Sequence, residues 1–258
     1  MAGSLFPLLW LALSVILLLV FQRWTHRQLH GLFYVLTLNR NRAVIIYAIF
    51  LLPGVLLHEG SHWLAAKLLG VKTGSFSILP KTRTDGVIQL GYVEYYKPKS
   101  GRTIRESAIG SAPIITGTLA VFLIATQIFD IPSLGISIGT GQLDNIVVSL
   151  NEFFSTKDVW IWLYLLFAIS NTMMPSASDR KAWPTLIIVF AVVIVSVLLL
   201  GLGEAMWSEI NEPVSAVASF FGLAFTVALL MDIVALPFIV LIKSIIARLR
   251  KVKLVANN

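Results

Sequence analysis

The chain has 258 residues, of which 57% are hydrophobic and only 13% charged. Soluble domains carry roughly 25% charge, so this composition excludes an ordinary soluble enzyme and predicts one membrane domain covering residues 1–258. The formal charge of +7 comes from basic residues that flank apolar segments, which fits contact with lipid headgroups and excludes nucleic acid as a partner.

The first apolar stretch, residues 5–21, has neither a basic segment before it nor an Ala-x-Ala site after it. It reads as a retained transmembrane helix and not as a signal peptide. A transmembrane helix needs about 20 apolar residues, and further runs of that kind cover 43–66, 107–129, 159–176, 184–202 and 214–242. Pro53 lies inside the second, where it can kink the helix and free backbone groups. Residues 71–99 instead alternate in polarity, with β-branched and aromatic residues around Thr84-Asp85-Gly86. They predict a small antiparallel sheet or hairpin at the membrane interface. The expected class is therefore an all-α polytopic membrane protein with about six transmembrane helices. Its core covers about 43–179, and 180–258 adds further helices and a basic tail of Arg248, Arg250, Lys251 and Lys253.

Charge bias predicts the topology, because short loops rich in Lys and Arg stay cytoplasmic. The C-terminus, residues 177–183 with Arg180 and Lys181, and residues 67–106 are assigned inside. The acidic loop 130–158 and the segment holding Glu204, Glu209 and Glu212 are assigned outside. Six spans place the N-terminus inside as well, in a multi-pass protein of the plasma membrane. One loop disagrees: residues 22–42, with Arg23, Arg27, Arg40 and Arg42, fall outside.

The second span ends in His58-Glu59-Gly60-Ser61-His62, a His-Glu-x-x-His pattern. Residues four apart share one helix face, so the two imidazoles can grip one metal ion while Glu59 takes a proton from an activated water. The absence of cysteine removes thiolate ligands. Catalytic zinc uses three protein ligands and leaves a position open; Asp179, beyond the fourth span and Pro175, is the candidate third. The second and fourth spans run the same way in this topology, which brings His58, His62 and Asp179 to one depth. Asn171 and Ser61 are candidates to hydrogen-bond the ligands or a substrate backbone. Asp232, inside the sixth span, reads as a helix-to-helix hydrogen bond or as a substitute third ligand. His26 and His30 read as interfacial. The small residues Ala108, Ala112 and Gly117 suit close helix packing.

These motifs resemble the site-2 protease family of intramembrane zinc metalloproteases. The similarity covers His58 to Leu64, the β-prone stretch after it, and the span running from Asn171 to Asp179, together a three-helix core. It implies that His58, His62 and Asp179 bind Zn2+, that Glu59 is the base, and that Asn171 helps hold a substrate strand or the site. The implied substrate is a membrane protein or peptide cut in or beside the bilayer, with a regulatory membrane partner possible. Two details depart from the pattern: Pro175 falls one place late, and Arg180 follows Asp179 where the family has glycine. The rival expectations are a non-proteolytic scaffold of the same fold, recognisable by a closed four-ligand site, and a metal transporter with a second site along a polar path.

Overall fold

The computed structural model describes residues 2–78, 80–82, 88–96 and 102–251. Helix α1 is Ala2–Thr37, and α2 (Arg40–Phe50) and α3 (Leu52–Leu68) follow it. The Asn39 side chain caps α2 by accepting from the Arg42 N–H. Pro53 sits in the first turn of α3, where its missing N–H costs nothing. The kink expected at Pro53 is a break at Leu51, across which α2 and α3 bend by 73°.

After α3 come β1 (Thr73–Ser77), β2 (Lys81–Thr82), β3 (Ile88–Gln89) and β4 (Tyr92–Tyr95). β1 pairs antiparallel with β4, and β2 with β3, as the alternation predicts. The expected turn at Thr84-Asp85-Gly86 lies outside the described residues. Helix α4 (Arg102–Leu123) runs into one π turn at Ile124–Ile128. The rest of the chain is α5 (Ile131–Thr140), α6 (Leu143–Ser155), α7 (Val159–Ser170), a 3-10 turn at Asp179–Ala182, α8 (Trp183–Leu199) and α9 (Gly203–Leu249).

Four helical runs are long and apolar enough to cross a membrane: Leu5–Thr37, Thr103–Ile128, Asp179–Leu199 and Gly203–Leu249. The bent pairs α2–α3 and α6–α7 bring the total to six only if each counts as one span. The polytopic helical class expected from composition therefore stands. Several expected loops do not: residues 22–37 continue α1, and the acidic stretch 130–158 is largely two helices.

Side-chain pairs fix the helix directions. Trp10 donates to Thr226 and Lys243 donates to Gln28, so α1 and α9 run parallel. Tyr164 donates to the Phe50 carbonyl and the His58 ring to the Thr172 carbonyl, so α3 runs parallel to α7 as expected. Gly117 meets Met173 and Gly110 meets Asp179, so α4 runs against α7. With Phe122 against Phe220 and Asn171 bonded to Asp232, it runs against α9 as well.

Since α1 and α3 point the same way, α2 must carry the chain back between them. The α2–α3 pair thus enters and leaves at one end of the bundle. Crossings fall to α1, α4, α7 with its following segment, α8 and α9. This corrects the six-span topology with both termini on one side: the ends of the chain lie at opposite ends of the bundle. The correction also removes the discordant loop. Arg27, Arg40 and Arg42 now share an end with Lys67, Lys72, Arg180, Lys181, Arg248, Arg250 and Lys251, against Glu94 and Glu106. The other end carries Asp130, Asp144, Glu152, Asp158, Glu204, Glu209 and Glu212 against Lys157.

The interior is built around α1, α4, α7 and α9: Leu18, Val121, Leu166, Met173, Ala224 and Phe225 form one buried cluster. Gly54 lets α3 lie against α7, because a Cβ there would collide with Thr172 Oγ1 and the Ala168 carbonyl. Gly54→Ala is expected to cost about 1–3 kcal/mol, read as a lower unfolding temperature of the protein in detergent. Single cysteines at Ser4→Cys and Asn258→Cys should react with a membrane-impermeant maleimide from opposite sides of sealed vesicles. Labelling of both from one side would contradict the parallel α1 and α9.

Candidate metal centre

Helix α7 stops after twelve residues, far short of the 20 or so a span needs. Its last carbonyls have no helical partners, and neighbouring side chains take them. Gln22 Nε2 donates to the Ser170 carbonyl at 2.6 Å, and Asn171 Nδ2 to the Phe167 carbonyl at 3.1 Å. The His26 ring reaches the backbone of Asn171. The fourth apolar run was expected to continue to 176; it breaks at Asn171 because these side chains replace the next helical turn.

Beyond the break, Ser176 N–H donates to Asp179 Oδ2 at 2.7 Å, and the Asp179 backbone rests on Gly110 of α4, where a Cβ would collide with its carbonyl. This seats Asp179 against α3. His58 Nε2 lies 3.6 Å from Asp179 Oδ2, and His62 Nε2 lies 3.3 Å from Asp179 Oδ1. The three residues offer ligand atoms that all lie within 4.8 Å of one another. Tetrahedral zinc with bonds of 2.0–2.1 Å requires ligand atoms about 3.3–3.4 Å apart, so the spacing suits a metal ion of that kind.

Both imidazoles are fixed from behind. His58 Nδ1–H donates to the Thr172 carbonyl at 2.7 Å and His62 Nδ1–H to the Ile109 carbonyl at 2.8 Å. A carbonyl only accepts, so each Nδ1 carries the proton and each Nε2 presents a lone pair toward Asp179. Ile109 is free to accept because Pro113, four residues on in α4, has no N–H.

His58, Glu59, His62 and Asp179 line one cavity of about 510 Å³, which also touches Asn171 and the start of β4 at Gly91, Tyr92 and Val93. Glu59 is buried in its wall. The sequence assignments separate here. His58, Glu59, His62, Asp179 and Asn171 come together; Ser61 does not line the cavity and spends its hydroxyl on the His58 carbonyl of its own helix at 2.7 Å. Asp232 is not a ligand: fully buried, it accepts from Asn171 Nδ2 at 2.9 Å with Thr25 against the same carboxylate, which is its helix-to-helix role. His26, read from sequence as interfacial, lines the same cavity and bonds the Tyr47 hydroxyl through Nδ1 at 2.7 Å, while His30 stacks on that ring. The only sequence signal for this pairing was the His26/His30 spacing of four, which says nothing about Tyr47.

Arg180 raises no conformational objection. Among the described residues, left-handed backbone outside glycine occurs at Leu38, Asp130, Asp158 and Lys251, so position 180 does not call for glycine. No protein-family model, curated protein or solved structure matches the chain.

One metal ion per chain is expected in protein purified in detergent and offered zinc, and its loss or marked reduction in Asp179→Ala, by elemental mass spectrometry. Equal metal in both proteins would remove Asp179 from the ligand set.

Proposed function

We propose that the chain is a zinc metalloprotease of the site-2 protease kind, hydrolysing a peptide bond of a membrane-embedded substrate. The observation that supports this best is the His58, His62 and Asp179 cluster with Glu59 beside it in a single cavity. Zinc would be held by the two Nε2 atoms and the Asp179 carboxylate, and would supply Lewis acidity for water and for a peptide carbonyl. Glu59 takes a proton from the attacking water and passes it to the leaving amine nitrogen. The cavity reaches β4, so an unwound substrate segment can lie alongside that strand as an added strand and present its backbone to Glu59.

Three ligands among the described residues, with Asp232 engaged elsewhere, favour an open coordination position over the closed site of a structural metal. They count against the scaffold reading. The charge asymmetry supports placing the basic end in the cytoplasm, which leaves the C-terminus inside, puts the N-terminus outside, and opens the centre closer to the cytoplasmic face.

Glu59→Gln should keep its zinc yet slow cleavage of a fluorogenic transmembrane peptide by roughly 10²–10⁴-fold. An unchanged rate would remove Glu59 from the chemistry and the protease reading with it.

A further inference from the structure

Helices α5 and α6 form a hairpin at the acidic end, between the end of α4 and the start of α7. They hold together through Ser137 Oγ and Ser149 Oγ, 3.0 Å apart, and dock through Phe153 stacked on Phe129 at 4.5 Å. Neither helix buries a residue. At 100° per residue, the side chains of α6 divide into three arcs. Ile146, Ser149 and Phe153 face the hairpin and α4. Asp144, Asn145, Asn151, Glu152 and Ser155 make a polar arc, interrupted by Val148. Leu143, Val147, Leu150 and Phe154 fall within an arc of about 60°, and they are 76%, 64%, 40% and 57% exposed.

We infer that the α5–α6 hairpin is an interfacial membrane anchor, with this stripe of α6 immersed at the boundary of headgroups and acyl chains. The direction of α6 supports lipid as the occupant: it bends 88° away from α7 across Thr156, Lys157 and Asp158, so it lies flat where α7 begins its descent. Asp158 takes a left-handed conformation at that corner (φ 57°). Directly after it, Trp160 is 73% exposed, at the level where tryptophan marks the membrane–water boundary. A long apolar stripe opposite a polar arc is the pattern by which a helix lies in that plane. The anchor also sets the depth of the metal centre. The twelve residues of α7 descend about 18 Å from the hairpin to Asn171, which in a hydrocarbon core of about 30 Å leaves about 12 Å to the basic face.

The inference rests on helix geometry and not on the chemistry proposed for Glu59. The cysteine-free chain permits a direct test with the full-length protein in phosphatidylcholine vesicles. Nitroxide labels are placed singly at Leu143→Cys, Val147→Cys, Leu150→Cys, Phe154→Cys, Asn145→Cys and Glu152→Cys, all exposed positions. The ratio of collision with oxygen to collision with a water-soluble nickel chelate is then read at each. The ratio is expected to be several-fold higher at the four stripe positions than at Asn145 and Glu152. A uniformly low ratio would put the hairpin in water and overturn the anchor. Stripe labels shielded from both quenchers would mean that protein covers this face, and would overturn it equally.

Discussion

A helix that stops inside an apolar interior leaves carbonyl groups that water cannot reach, and each unsatisfied group there costs several kcal/mol. The end of α7 meets this constraint by recruiting side chains from three other helices. Gln22 and His26 come from α1, His58 from α3, and Asp232 from α9 fixes the Asn171 amide, which itself covers Phe167. Polar residues that look misplaced in long apolar runs are therefore the partners of one helix end.

The same arrangement prepares the metal centre. The Thr172 carbonyl that the broken end leaves free is the group that orients His58, and the Ile109 carbonyl that Pro113 leaves free is the group that orients His62. Each ring is turned by a backbone irregularity in a neighbouring helix, with its Nε2 toward Asp179. The extended segment after Asn171 returns Asp179 to the ring pair, and Gly110 admits its backbone. Ligand geometry and helix interruption are thus one feature, which explains why an expensive break persists at this depth.

Direction follows from packing too. With α1 parallel to α9 and α2–α3 folded back at one end, every strongly basic segment shares an end with the broken helix. The acidic segments gather at the other, beside the α5–α6 hairpin. Charge segregation of this kind is what a fixed orientation in a membrane with an asymmetric surface requires.

The sequence by itself determined the membrane class, the two antiparallel strand pairs, and the set His58, Glu59, His62 and Asp179. Each depends on local order: runs of apolar residues, alternation of period two, and imidazoles four apart on one helix face. Asp179 was legible because the apolar lengths before it and before His58 match. What only the tertiary structure decided was where polar groups find partners at long range. His26 beside Tyr47, Asp232 on Asn171 instead of the metal centre, and Ser61 turned back on its own helix have no local signature. The number of crossings was hidden for the same reason. Hydropathy measures the length of an apolar run, and a folded-back pair such as α2–α3 is as apolar as a span; only its contacts with α1 and α7 reveal that it does not cross.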